Sequence, residues 1–170
     1  ALNQLALKKQ YDTRALFIGA LGILERTHGS EAFELLPALG NLARWAQIFQ
    51  QWESLETSLL RMIAIREKTQ GEDHPDLGWE LHNLGKFYVS QKRWAVAEPR
   101  LEKSLLILEK KLGWNHASLL PVLDNLVVVR TQLKRHGAAE QTARRALQIR
   151  ESQLGETHPD VASTLDSLAS

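Results

Sequence analysis

The sequence predicts an all-α protein made of stacked helix pairs. Two observations carry this: apolar residues recur at helical spacing, and a whole pattern of residues recurs every 42 positions. The third is an absence, because no alternating β-branched run is present that would make a sheet. Self-similarity at a period of about 20–50 residues is the mark of repeat architectures. His74, His116 and His158 stand 42 apart, and each follows a glycine (Gly71, Gly113, Gly155) by three residues. Asn41, Asn83 and Asn125, each followed by Leu, share the offset, as do Trp52 with Trp94 and Ile65 with Ile107 and Ile149. So do Glu56, Glu98 and Glu140, and Glu67, Glu109 and Glu151.

The register divides the chain into three full units, 32–73, 74–115 and 116–157. Ile23, Glu25 and Gly29 extend it backwards, making 1–31 a degenerate partial repeat. Each full unit reads as two helices. In the second, His74-Pro75-Asp76 opens a helix, with Pro75 where its missing N–H costs nothing and Asp76 near the positive end of the dipole. Leu77, Leu81, Leu84 and Tyr88 follow at i, i+4, i+7 and i+11. Gln91-Lys92-Arg93 interrupts the stripe, which resumes at Trp94, Ala97, Leu101, Leu105, Leu108 and Leu112. Gly113 then stands where a left-handed C-cap is wanted. Pro99 and Pro121 are expected within about the first turn of their helices, where backbone N–H groups lack an intrahelical partner. Two helices cannot bury both apolar faces alone, so neighbouring pairs must stack. The last piece, 158–170, places Val161, Leu165 and Leu168 at i, i+4, i+7 and is expected to cap the last complete unit.

Composition narrows the function. The chain has 170 residues, 44% hydrophobic, and a net charge of +1, which argues against a strongly electrostatic partner such as bulk DNA or an anionic membrane. Without Cys there is no disulfide scaffold, thiolate zinc site or cysteine nucleophile. No apolar run reaches the roughly 18–20 residues that cross a bilayer, and no signal segment opens the chain, so a cytoplasmic setting is expected. The first residue is Ala, which suggests a piece of a longer protein. No Gly-rich phosphate loop, nucleophile elbow or metal motif occurs, so the reading is non-catalytic and needs no cofactor.

Leu84-Gly85, Tyr88, Trp94, Ala97, Leu101 and Ser104 resemble the tetratricopeptide repeat pattern of small and large residues at helix crossings. The 42-residue period, the His-Pro-Asp opening and the segment from Leu81 to Gly113 resemble the long-repeat variety found in kinesin light chain and in bacterial scaffold proteins. The resemblance implies a right-handed superhelical α-solenoid of antiparallel helix pairs. Its concave groove, lined by the first helix of each pair, would hold a peptide segment of a partner protein. The first full unit departs from the pattern. Phe33-Glu34 stands where Pro75-Asp76 would, and Pro37 and Gly40 are expected to loosen its first helix.

Carried over by register, the groove face comprises Asn41, Arg44 and Gln47, then Trp79, His82, Asn83, Lys86, Val89 and Ser90. Asp124, Asn125, Val128 and Gln132 follow, then Asp166 from the partial last unit. Each Asn amide offers donors and an acceptor to an extended peptide, although the same column could serve only to tie adjacent helices together. Arg44 and Lys86 would attract a carboxylate, and Asp124 and Asp166 a basic residue, so a polarised groove is expected. Trp79 is the candidate anchor. Trp45 is expected in the core, and Trp52 and Trp94 as wedges between paired helices. Trp114 has no aromatic counterpart. The histidine ladder reads as helix-entry residues, since helices about 8–10 Å apart cannot share a metal through residues one repeat apart. Arg130, Lys134, Arg135, Arg144, Arg145 and Arg150 form a basic run with Glu140 as its one acid. It lacks interleaved aromatics, so nucleic-acid stacking has little support and a solvated convex face is the simpler reading. The alternative to a peptide-binding scaffold is a structural spacer or an oligomerisation segment working through exposed end repeats.

Overall fold

In a computed structural model the described residues form helices joined by short turns, with no strand among them. The structure describes the backbone of residues 2–155 and of Val161, and the side chains of 13–153, Gly155 and Val161. Helices α1 (Leu2–His28), α2 (Leu36–Ile48), α3 (Trp52–Gln70), α4 (Pro75–Ser90), α5 (Trp94–Leu112), α6 (Leu120–Gln132) and α7 (His136–Leu154) follow in order. The chain forms two compact units, Ala1–His74 and Pro75–Ser170. The first holds α1 to α3 and the second α4 to α7.

Both kinds of turn recur at the 42-residue period. Between repeats, Gly29, Gly71, Gly113 and Gly155 all have positive φ. At Gly113 the pair is φ 89° and ψ 160°, an extended region with positive φ that is essentially closed to other residues, rather than the left-handed helical cap the spacing predicts. Within repeats, Gln50, Lys92 and Lys134 take φ of 54°, 56° and 61° without being glycine. Each is followed by a residue whose N–H reaches back five positions: Gln51 to Ala46, Arg93 to Tyr88 and Arg135 to Arg130, at 2.8, 2.9 and 2.8 Å. These are Schellman ends, which satisfy carbonyls that a helix terminus would otherwise leave open.

Prolines shape the helix starts. Pro75 is the first residue of α4, as its spacing predicts. Pro37 and Pro121 occupy the first turn of α2 and α6, each preceded by a short 3-10 turn, Phe33–Leu35 and Ala117–Leu119. A proline cannot donate to the carbonyl four residues back, so the chain enters by the tighter bond, Leu36 N–H to Phe33 and Leu120 N–H to Ala117. Gly40 does not loosen α2, which runs unbroken past it with Met62 Cε 3.9 Å from where a Cβ would stand. Pro99 departs from expectation. Because α5 starts at Trp94, Pro99 lies in its second turn and forfeits one helical bond, on an exposed face.

In the first unit the core gathers Leu35, Leu36 and Leu39 against Met62 and Ile65, with Leu21, Leu24 and Ala32 packed alongside. In the second, Leu77, Leu81 and Leu84 of α4 are buried with Leu101, Ile107 and Leu108 of α5. Leu123, Leu126 and Val129 of α6 and Ile149 of α7 are also buried. The helices α4 and α5 cross through their glycines. A Cβ on Gly85 would lie 2.6 Å from Leu101 Cδ2, and one on Gly78 would lie 2.9 Å from Leu108 Cγ. Ser104 Oγ seals that crossing by donating to the Gly78 carbonyl at 2.7 Å.

α1 carries the register of a second helix. Ile65, Ile107 and Ile149 are 1%, 2% and 0% exposed, yet Ile23 at the same register position is 56% exposed. In the other repeats this position faces the first helix of the pair, as the 3.3 Å approach of Ile107 to the Gly78 Cβ position makes plain. No helix among the described residues packs on that face of α1. At the other end Val161 is buried, while Leu165 and Leu168 of the expected cap lie outside the described residues.

Candidate functional site

Within the second unit, the face expected to bind sits on α4 and α6. Asn83, Lys86 and Ser90 are exposed on α4, with Trp79 and Val89 half-buried. Asp124, Val128 and Gln132 are exposed on α6 and Asn125 is half-buried. Helical spacing explains the grouping, because 79, 82, 83, 86 and 90 fall on one stripe of α4 and 124, 125, 128 and 132 on one stripe of α6.

His82 departs from the expectation of an open contact. It is buried, with the Trp79 ring set edge-on at 6.1 Å between centroids. Its Nε2 lies 3.2 Å from Asn125 Nδ2, and the same amide nitrogen donates to the Pro121 carbonyl at 2.8 Å. With that amide orientation, Nε2 accepts and the imidazole carries its proton on Nδ1. Burial, aided by the nearby Lys86 charge, holds the His82 pKa below the ordinary imidazole range, and contact with the Pro121 backbone opposes this only in part. His82 is thus a neutral strut beneath Trp79.

The repeated asparagines therefore divide. Asn125 spends its amide between helices, whereas Asn83 is exposed and has no hydrogen-bond partner among the described residues. In the first unit Asn41, Arg44 and Gln47 are likewise exposed on α2. Lys86 is also exposed and makes no ion pair among the described residues. Asp124 does: both of its oxygens accept from Arg150 Nη2, at 2.7 and 2.6 Å. The acidic partner of the expected charge polarity thus already holds a cation from α7. Asp166 lies outside the described residues.

The basic run is tied down in the same way. Arg130 reaches Glu98 at 3.3 Å and Glu102 at 2.7 Å, and Arg135 reaches Glu98 at 2.6 Å. Arg144 pairs with Glu140 at 2.6 Å, and Arg145 with Glu109. The carboxylates missing from the run lie on the preceding helices, where a linear reading does not look. Arg145 also explains Trp114, whose exposed ring lies 3.5 Å beneath its guanidinium and whose carbonyl accepts from Nη2 at 2.7 Å. Trp45 is buried, as its register predicts, 5.5 Å from Phe49. Trp52 and Trp94 open α3 and α5, Trp52 partly exposed and Trp94 half-buried. His116 caps a helix entry, its Nδ1 accepting from the Ser118 N–H at 3.1 Å. His158 lies outside the described residues. No group of His, Asp or Glu able to hold a metal ion occurs among the described residues. No helix among them is long and apolar enough to cross a membrane.

Antiparallel helix pairs, small residues at their crossings and a fixed 42-residue period define a helix-pair repeat protein, an α-solenoid by class. The tetratricopeptide repeat profile matches residues 35–110 and 81–152, and the chain belongs to that family. Two solved structures of nearly identical TPR-like repeats, described as kinesin light chain from Podosopora anserina, share the fold. Their TM-scores are both 0.77 at 23% and 24% identity, covering 98% of this chain and 81% of theirs. BtubC (BKLC) from P. vanneervenii is similar at TM-score 0.75 and 22% identity, over 89% of this chain and 60% of that one. No curated protein matches the sequence.

Proposed function

We propose that the chain is a non-catalytic protein-interaction scaffold that holds a peptide segment of a partner protein on the exposed face of its first helices. Membership in the tetratricopeptide repeat family supports the scaffold role, since stacked helix pairs present extended binding surfaces. The observation that carries the finer reading is the pairing of Asn83 and Lys86 on α4. Both are exposed and uncommitted among the described residues, and Trp79 lies half-buried on the same stripe. The Asn83 amide suits a peptide backbone, Lys86 a carboxylate, and Trp79 with Val128 of α6 an apolar side chain. Asn41, Arg44 and Gln47 would serve in the first unit as Asn83, Lys86 and Val89 do here. His82 and Asn125 hold α4 and α6 in place from below. The partner segment is an extended peptide with at least one acidic residue. The direct experiment compares capture of binding proteins by the wild-type chain and by an Asn83→Ala/Lys86→Glu variant. Proteins lost with the variant are the groove's partners.

A second reading, a spacer or oligomerisation segment, is favoured by the uncovered Ile23 face of α1. Sedimentation across a hundredfold concentration range separates the two. A monomer throughout favours the peptide-binding reading, and a concentration-dependent mass favours self-association.

A further inference from the structure

The three helices α1, α2 and α3 repeat the arrangement of α5, α6 and α7 at an offset of 84 residues, but one place differs in content. In the second unit Arg130 fills the space between α5 and α7, with Nη1 2.5 Å from Thr142 Oγ1 and ion pairs to Glu98 and Glu102. At the equivalent positions the first unit has Ala46 for Arg130, Arg14 for Glu98, Ile18 for Glu102 and Ser58 for Thr142. The plug and both of its acids are gone. In their place is a cleft of about 310 Å³, lined by Arg14, Ile18, Leu21, Leu39, Leu42 and Ser58, with Glu53 on its α3 wall. That volume is at the lower end for ligand pockets and admits one large side chain with part of its neighbour.

We propose that this cleft is a second docking site, which receives from a partner protein a large apolar side chain flanked by a carboxylate. The floor is aliphatic, from Ile18, Leu21, Leu39 and Leu42. Ser58 Oγ already donates to the Ser54 carbonyl at 2.7 Å, so it adds little donor capacity. Charge decides the flanking group. Arg14 is exposed and makes no ion pair among the described residues, while the other lining cation, Arg61, is engaged by Glu25 and by the Ser30 carbonyl. Where the second unit has a buried acid holding a cation, the first has a cation, Arg14, and the acid in its described lining, Glu53, stands on another helix. The site is separate from the peptide face proposed above. At about 100° per residue, Leu39 and Leu42 lie on the side of α2 opposite Asn41 and Arg44.

Methyl NMR of the chain with two blocked tetrapeptides tests this, one with Glu beside Phe and the other with Lys beside Phe. Free 4-phenylbutyrate is a third probe. The acidic peptide is expected to shift the methyls of Ile18, Leu21, Leu39 and Leu42, and the basic one to bind at least ~tenfold more weakly. Arg14→Glu reverses that order, and Glu53→Gln strengthens the acidic peptide. Equal shifts from both peptides that ignore Arg14→Glu would overturn the charge assignment. Absence of methyl shifts would overturn the site. Shifts from phenylbutyrate alone would make it a small-molecule site, and shifts that track protein concentration without a probe would assign it to a second copy.

Discussion

Asn125 Nδ2 lies 3.2 Å from His82 Nε2 and 2.8 Å from the Pro121 carbonyl, so one amide group joins α4 to α6. Both of its donors are used, and the imidazole must stay neutral to accept one of them. A protonated ring would present N–H to N–H.

That relationship makes stability depend on pH. The folded-state pKa of His82 is depressed by burial and by Lys86, so the unfolded chain takes up the proton first. The contribution is complete above the ordinary value of about 6.5 and is lost as pH falls below it. Urea unfolding of wild type and His82→Gln should give a stability difference that shrinks between pH 7.5 and 5.5. A difference that stays flat across that window would rule this role out.

The contact between Gly85 and Leu101 predicts a non-additive pair. A Cβ on Gly85 would stand 2.6 Å from a buried leucine, so Gly85→Ala should cost about 1–3 kcal/mol by overpacking. Leu101→Ala should cost about 2–5 kcal/mol through the cavity it leaves. Together they should cost clearly less than the sum, because the smaller neighbour makes room for the new methyl. Chemical denaturation of all four species measures the coupling.

Lys92 holds a left-handed conformation at φ 56° with a side chain that disfavours it. Lys92→Gly should therefore raise stability by up to about 1 kcal/mol, less the entropy glycine gains in the unfolded chain. A lower urea midpoint would show that the lysine side chain itself supports the turn.

Ile23 and Ile107 share a register position and differ in cover. Ile107→Ala should cost about 2–5 kcal/mol, and Ile23→Ala within about 0.5 kcal/mol of nothing. Thermal melts of the two variants make the comparison, and equal losses would mean that α1 is covered in solution.

The period, the helix pairing, the proline starts and the core leucines were legible in the sequence because each depends on local spacing. What was not legible depends on residues brought together from different repeats. The basic run looked uncompensated because Glu98, Glu102, Glu109 and Asp124 lie 26 to 37 residues before their arginines. Asp124 read as a free acid for the same reason. Burial of His82 follows from Trp79 lying over it and Asn125 facing it, which register alone does not reveal. The turns at Gln50, Lys92 and Lys134 carried no glycine to mark their positive φ, although their common spacing of 42 could have suggested one shared conformation.

The most direct test of peptide binding on the α4 face is a titration of the captured partner segment into wild type, Asn83→Ala/Lys86→Glu and Ile23→Ser. The account predicts that the double variant loses at least ~tenfold in affinity while Ile23→Ser binds as wild type does. Unchanged binding by the double variant, with loss in Ile23→Ser, would contradict it and move the interaction to α1.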